Sequence, residues 1–444
     1  MQAEPSTIFA LASGPGRAGI AVFRLSGPFA GPALRALSGS PLPEARRAKR
    51  AELSDGTGAP LDDGLVLWFP GPQSFTGEDV VELHVHGGRA VAAAVTEALL
   101  ALGLEPAEPG EFSRRAFHAG KLDLTQAEAI ADLVDADTAA QRRQALRQLG
   151  GSLGHLYDDW RERLLRCQAH LEAEIDFAEE DLPGGLGEEA RGALRRLAEE
   201  IAAHLADGHR GERLRDGLSV AIVGAPNVGK SSLLNRIAGR NAAIVSSLAG
   251  TTRDIIEVHM DLGGYPVTLA DTAGLRDAAE AIEEEGVRRA RARAESADLC
   301  LVVFDAEALP VLDPSSVALV NDDALVVVNK SDRCPMLAVD RISGKTPFLI
   351  SADRGEGIDV LLSALEGRAR DLLDGSGAPA ISRARHRRAL EETEASLRRA
   401  LLAPLPELAA EDVRLAARHL GRITGRIDVE EMLDVIFREF CIGK

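Results

Sequence analysis

One stretch limits what this chain can fold into more than any other: Gly224-Ala225-Pro226-Asn227-Val228-Gly229-Lys230-Ser231. It follows Leu218 to Val223, an apolar run with the length and branching of a buried strand. It precedes Ser231 to Ala238, which has helical spacing and stops at Gly239. Strand, G-x-x-x-x-G-K-S and helix, in that order, is the setting in which a phosphate-binding loop works. Glycines let backbone N–H groups converge on anionic oxygens, and the helix N-terminus adds its dipole. Lys230 supplies a point charge and Ser231 is placed to ligate Mg²⁺. A glycine-rich connection without a ligand is the plainer alternative, and the bare pattern is compatible with both.

Three further segments decide between them. The apolar run 324–328 leads straight into Asn329-Lys330-Ser331-Asp332. A carboxylate at the end of a buried strand accepts hydrogen bonds from the N1–H and 2-amino edge of guanine, and adenine offers no such pair. Asp271-Thr272-Ala273-Gly274 follows another apolar run, with Asp271 placed to hold Mg²⁺ through water and Gly274 N–H to meet a γ-phosphate. Ser351-Ala352-Asp353 follows a strand-like segment, where a guanine O6 contact is expected. The motifs stand in unpermuted order, which points to a guanine-nucleotide switch.

At 444 residues the chain has room for two to four domains with their own cores. Its 45% hydrophobic content with only 4% aromatics suggests much helix. No apolar run approaches a membrane span, and Met1 to Pro5 lacks a basic leader, so export is not expected. Cys167, Cys300, Cys334 and Cys441 lack metal-ligand spacing, which fits a reducing, cytoplasmic setting. A formal charge of −18 argues against a generic nucleic-acid coat, whose affinity comes from neutralising phosphates. It leaves room for a local patch. Arg383-Ala384-Arg385-His386-Arg387-Arg388 is the best candidate, with a solvated helix face as the stronger reading. Only six of the 51 basic residues are lysines, Lys49, Lys121, Lys230, Lys330, Lys345 and Lys444, which draws attention to Lys121 and Lys444.

Residues 1–121 read as an α/β domain, with strands at 19–25, 65–69 and 80–88 and a helix at 89–102. His84 and His86 alternate with apolar residues and so share a side, where hydrogen-bonded or solvent-facing roles outweigh metal binding. Residues 122–216 read as all-α: a capped, continuous helical pattern to Leu149, a long helix over 153–177, and another over 188–213. The nucleotide domain covers 217–374. Residues 375–444 return to helices, at 382–402, 411–423 and 428–440. The expected fold class is therefore α/β plus all-α, with a Ras-like P-loop domain inserted in a helical bundle.

After Gly274 many relatives of the nucleotide fold place a water-orienting Gln, and here the residue is Leu275. Another group must position water and neutralise charge between the β- and γ-phosphates. Asn227, through its side-chain carbonyl, could hold a monovalent cation wrapped by the backbone of residues 246–254, with Thr252 completing the Mg²⁺ shell. Alternatively Glu283-Glu284-Glu285 supplies a carboxylate acting through a water, although anions at a helix start are also expected from the dipole alone. The residues by themselves leave these readings open.

The chain as a whole resembles the MnmE (TrmE) family of tRNA-modification GTPases. The marks are Ser74-Phe75-Thr76-Gly77-Glu78-Asp79, Pro109-Gly110-Glu111-Phe112-Ser113, Lys121-Leu122-Asp123-Leu124 with Gln126-Ala127-Glu128-Ala129, Gly250-Thr251-Thr252-Arg253-Asp254 and the terminal Cys441-Ile442-Gly443-Lys444. The resemblance implies a folate-binding, dimerising N-terminal domain, in which Arg24, Glu82, Lys121 and Lys444 match positions contacting 5-formyl- or 5,10-methylene-tetrahydrofolate. It implies K⁺-stimulated GTP hydrolysis, with Asn227, Ser246, Leu248 and Thr251 at the potassium positions and Glu283 as the catalytic carboxylate.

The implied nucleotide contacts are Asn227, Val228, Gly229, Lys230, Ser231 and Ser232, then Ser246, Ser247, Leu248, Ala249, Gly250, Thr251 and Thr252. They continue with Asp271, Thr272, Ala273, Gly274, Asn329, Lys330, Ser331, Asp332, Ser351, Ala352 and Asp353, the last where relatives often carry a basic residue. The implied reaction adds a carboxymethylaminomethyl or aminomethyl group to C5 of the wobble uridine of certain tRNAs. A homodimer would do so with an FAD-containing partner, MnmG (GidA), in a heterotetramer or larger complex. Cys441 is a candidate nucleophile or acid–base thiol, with Lys444 favouring its thiolate, and a packed structural cysteine is the alternative. The competing class is a regulatory or ribosome-assembly GTPase switch, which would expect an RNA-binding module not found here.

Overall fold

Strict alternation builds the first sheet. In Val80–Gly87 the residues Val81, Leu83 and Val85 are buried, while Glu82, His84 and His86 take the other face. In Ala18–Ser26 the buried apolar set is Ala21, Phe23 and Leu25, which leaves Arg24 on the same side as Glu82. The computed structural model describes residues 6–176, 186–240, 257–271, 291–334, 339–375, 377–427, 430–438 and 440–443. They form two compact units, one made of residues 1–131, 148–195 and 392–444, the other of 132–147 and 196–391.

In the first unit six strands, β1 (Ile8–Leu11), β2 (Ala18–Ser26), β3 (Lys49–Ser54), β4 (Pro60–Phe69), β5 (Val80–Gly87) and β6 (Glu105–Pro106), stand in the order β3-β4-β5-β2-β1-β6. All pairs are antiparallel except β1 with β6. Helices Ala30–Ser38 and Arg89–Ala101 cover one face, burying Leu34, Leu37 and Leu99 against Phe23, Leu25 and Leu83. The expected strands at 19–25 and 80–88 and the helix after them are present. β4 begins at Pro60, earlier than expected, because its first half carries the polar pair Asp62-Asp63 and then Gly64. A Cβ at Gly64 would lie 2.2 Å from the His84 carbonyl oxygen, so the close strand approach requires glycine.

Local caps override periodicity in the helical segments. Asp123 opens Leu124–Val134 as expected: its Oδ1 accepts from Gln126 N at 2.9 Å while Gln126 Oε1 accepts from Asp123 N at 3.0 Å. The pattern expected to continue to Leu149 is instead cut, and a second helix runs Ala139–Leu149. Thr138 and Gln141 form another reciprocal cap there, at 3.3 and 3.1 Å. The helix expected over 188–213 is likewise two helices, Leu186–Leu205 and Arg210–Asp216, separated by a turn with Gly208 and His209 in the left-handed region. Ser152–Asp176, Ala384–Leu402 and Glu430–Arg438 fall close to expectation. Pro406–Thr424 starts five residues before the expected Glu411, with proline at its first turn. Among the described residues no helix is long and apolar enough to cross a membrane.

In the second unit β7 (Leu218–Val223), β8 (Glu257–Leu262), β9 (Tyr265–Asp271), β10 (Leu299–Asp305), β11 (Ala324–Asn329) and β12 (Phe348–Leu349) stand in the order β12-β11-β10-β7-β9-β8. Every pair is parallel except β8 with β9. A parallel sheet has helices on both faces, so its strands read as continuous apolar runs. Val220 and Ile222 face Leu233 and Ile237 of Lys230–Arg240, and Ala221 and Val223 join Val302 and Val328 in a second core. The carboxyl ends of β7, β9 and β11 bring their loops to one edge.

The arginine-rich stretch 383–388 is not a wholly solvated face. Arg383 donates to Asp132 Oδ1 at 2.7 Å, and Arg215 donates to the same oxygen at 3.1 Å. Arg387 is buried and holds Asp207 at 2.7 Å, Glu212 at 2.9 Å and the Leu205 carbonyl at 3.0 Å. Acidic residues Asp132 and Glu212, on helices, and Asp207, in the turn between Leu205 and Arg210, claim these cations, a pairing that local sequence does not reveal. Truncating one partner of a buried ion pair strands the other charge. Arg387→Ala is therefore expected to lower stability by about 3 kcal/mol, measured by chemical denaturation, whereas Arg388→Ala on the exposed side of the same helix changes it little.

Candidate functional site

The phosphate loop is shaped by backbone conformations that few residues tolerate. Gly224, Asn227 and Gly229 have φ of 148, 63 and 94°. A side chain on Gly224 would meet the Val303 carbonyl oxygen at 2.3 Å, and one on Gly229 would meet Asn329 Nδ2 at 2.3 Å. Such alternation turns successive N–H groups toward one point, an anion-binding concavity. Lys230 curls back to donate to the carbonyls of Gly224 and Ala225, both at 2.9 Å. Burial pushes its pKa down, so an anion in the loop would restore favourable charge around it. Val228 is buried beneath the loop, while Asn227, Ser231 and Ser232 are exposed.

The loop meets its neighbours through three contacts. Ser231 Oγ donates to Asp271 Oδ2 at 2.6 Å, bringing together two of the groups assigned to the Mg²⁺ environment. Oxygen donors of this kind suit a hard divalent cation. Asn329 Nδ2 donates to the Val228 carbonyl at 2.9 Å, and Asn329 Oδ1 accepts from Ala352 N at 3.0 Å. One buried amide thus ties the phosphate loop to the Ser351-Ala352-Asp353 loop. Lys330 has a left-handed backbone, and its ammonium pairs with Asp305 at 2.5 Å.

Asp332 is held for base reading. The Ser351 hydroxyl donates to it and keeps its carboxyl below the usual carboxylate range, with Arg354 and Arg333 acting in the same direction. Two arginines here were not anticipated. Arg236, from the helix after the phosphate loop, donates to the Ala352 carbonyl at 2.7 Å and also to that of Asp353. Arg354 Nε lies 3.4 Å from Asp332 Oδ2. The missing basic residue at Asp353 therefore has a counterpart one position later. An arginine directly after the tripeptide was the available signal.

The first unit assembles a second polar site. Arg24 donates through Nε and Nη2 to Glu82 Oε1, at 3.2 and 3.0 Å, across the register that pairs β2 with β5. Its guanidinium lies 5.7 Å from the Phe75 ring centre and 5.8 Å from that of Phe112. Those rings come from the Ser74–Asp79 and Pro109–Ser113 segments, which are also locked together. Arg115 bonds Glu78 at 3.1 Å and Glu111 at 2.8 Å, and Glu78 accepts from Ser26 at 2.6 Å.

Lys121 is exposed, and its Cε lies 3.6 Å from where a Cβ on Gly77 would stand, in the loop carrying Phe75. The tail returns to this sheet: a Cβ on Gly443, whose φ is 96°, would stand 2.8 Å from the Leu11 carbonyl oxygen at the end of β1. Cys441 is exposed, not packed. His84 and His86 bond to Glu82 and Asp62, and no metal-binding cluster of His, Cys, Asp and Glu occurs among the described residues. Ser246, Ser247, Leu248, Ala249, Gly250, Thr251, Thr252, Thr272, Ala273, Gly274, Glu283 and Lys444 lie outside the described residues.

Sheet order, phosphate loop and base-reading loops define the class, a P-loop GTPase of the Ras-like fold preceded by an α/β domain and accompanied by helices. Two family models match, the MnmE helical domain over residues 124–441 and the GTP-binding protein TrmE N-terminus over residues 7–121. The tRNA modification GTPase MnmE of Paramagnetospirillum magneticum is 62% identical over 438 residues, covering 99% of each chain. Its counterpart in Rhodospirillum rubrum is 58% identical over 452 residues, again with 99% of each covered. Among solved structures, the FeoB G-domain from Methanococcus jannaschii is 24% identical over 35% of this chain and 98% of that one, with a TM-score of 0.27. The chain belongs to the MnmE (TrmE) family of tRNA modification GTPases.

Two substitutions test the nucleotide site. Gly229→Ala forces a side chain onto a left-handed backbone and against Asn329, and is expected to weaken GDP binding roughly a hundredfold, read by titration. Asp332→Asn should abolish the preference for guanine over xanthine nucleotides, measured by competition between GDP and XDP.

Proposed function

We propose that this protein is a K⁺-stimulated GTPase that modifies C5 of the wobble uridine of certain tRNAs. It adds a carboxymethylaminomethyl or aminomethyl group built from a tetrahydrofolate one-carbon unit. It acts as a homodimer in the cytoplasm with the FAD-containing protein MnmG, in a heterotetramer or larger complex. The working division is 1–121 for folate and dimerisation, 122–216 and 375–444 for the helical domain, and 217–374 for GTP. The observation that carries this reading over that of a simple switch is the Arg24–Glu82 pair, set between Phe75 and Phe112 on the sheet against which the tail returns.

The side chains present suit a pterin. Its amino-pyrimidine edge offers adjacent N–H donors, which a carboxylate such as Glu82 accepts, and Phe75, half-buried over the fully buried Phe112, offers flat apolar surface. Lys121, Lys444 and Arg24 suit the glutamate tail. In the nucleotide site Lys230 and the loop N–H groups hold the phosphates, Ser231 and Thr252 would ligate Mg²⁺, and Asn227, Ser246, Leu248 and Thr251 would ligate K⁺. When bound, the two cations neutralise charge on the transferring phosphoryl group. Glu283 orients the attacking water. Cys441, exposed at the tail, is the candidate thiol for the uridine chemistry.

Equilibrium binding of 5-formyl-tetrahydrofolate to the wild type and to Glu82→Ala tests the first site. Binding to the wild type and its loss in the variant are expected, and binding to neither returns the protein to the switch class. GTP hydrolysis should run much faster in K⁺ than in Na⁺, and Asn227→Ala should remove the difference. Glu283→Ala should slow turnover while GTP affinity holds. Cells lacking the protein should show unmodified wobble uridine by nucleoside mass spectrometry.

A further inference from the structure

The carboxylate of Glu82 divides its oxygens between two partners. Oε1 takes both Arg24 nitrogens, and Oε2 meets His84 Nε2 at 3.2 Å. All three side chains are at most about one quarter exposed, with Arg24 at 25%, Glu82 at 19% and His84 at 27%. Residues two apart on one strand share a face, so His84 reaches Glu82 without distorting β5. Its backbone is held in turn by the pairing of Leu65 with His84 across β4.

An ionised carboxylate only accepts hydrogen bonds, so His84 must present Nε2–H to it. That fixes the neutral imidazole in one tautomer and leaves Nδ1 as an acceptor. Arg24 alone grips one oxygen, so turning the carboxylate about its χ3 bond breaks only that one grip. A second donor on the other oxygen raises the cost of turning, because rotation would then break both contacts at once. A ligand with two adjacent N–H donors needs the carboxylate plane in one orientation, and the entropy of fixing it is then met before binding.

We propose that His84 is a positioning residue for the folate site, setting the plane of the Glu82 carboxylate for the amino-pyrimidine edge of the pterin. This rests on the reading of Arg24 and Glu82 as folate contacts. The test is equilibrium binding of 5-formyl-tetrahydrofolate to the full chain as wild type, Glu82→Ala, His84→Ala, His84→Gln and the double variant Glu82→Ala, His84→Ala, with thermal melting recorded on each preparation.

Loss of a hydrogen bond to a charged group predicts about tenfold weaker binding in His84→Ala. His84→Gln, whose amide N–H reaches the position of Nε2, should restore affinity to within about twofold of wild type. Any residual binding in Glu82→Ala should fall no further when His84 is also removed, because its effect passes through the carboxylate. Wild-type affinity in His84→Ala together with loss in Glu82→Ala would overturn the role of His84 and leave the folate reading standing. Equal losses in the Ala and Gln variants would overturn it too, marking the ring as packing. Undiminished binding in Glu82→Ala would overturn both.

Discussion

A single buried amide organises the nucleotide site. Asn329 has a donor and an acceptor on one rigid plane, and it spends the donor on the phosphate loop and the acceptor on the base loop. Its place at the end of β11 follows from the parallel sheet, which buries the strand and leaves its carboxyl end facing the loops. Gly229 lacks a side chain because that amide stands where a Cβ would. Removing the amide would orphan the Val228 carbonyl and the Ala352 N–H together, and each is costly to leave unmet. Phosphate recognition and base recognition are therefore one structure.

Much of this was legible in the chain itself. The glycine loop between a β-branched strand and a helix, the Asn-Lys-Ser-Asp after an apolar run, and the alternation in Val80–Gly87 each carry a local physical cause. Helix ends were less legible. Thr138-x-x-Gln141 is a capping signal as good as Asp123-x-x-Gln126, yet apolar spacing runs across it and suggests one helix where there are two. Ion pairs between distant segments were not legible at all. Arg383 and Arg387 look like surface charges until Asp132, Asp207 and Glu212 are brought to them by the fold. The same holds for Arg354, whose relation to Asp332 exists only after the base loop turns back.

The N-terminal sheet follows another economy. One face is filled by two helices, and the other receives Phe75 and Phe112 over β1 and β2. The segments that deliver those rings are bound through Glu78, Arg115 and Glu111. Cation, carboxylate and aromatic rings thus converge because the sheet's register and the two loops are mutually fixed. Gly110 lies where a Cβ would stand 2.7 Å from the Phe437 carbonyl oxygen, so the last helix is seated on the same turn.

The shared oxygen of Asp132 gathers Arg215, just before β7, and Arg383, well after β12. The two ends of the intervening chain are clasped at one atom, and the long segment between them behaves as a closed ring without a covalent bond. Both contacts exist only in the folded protein, so folding meets the entropy of closing that ring, a cost that grows only slowly with its length. A fragment trimmed to the sheet and its helices would lack the buckle. Its termini would fray, and a reading of its mechanical or thermal resilience would describe a different object from the parent.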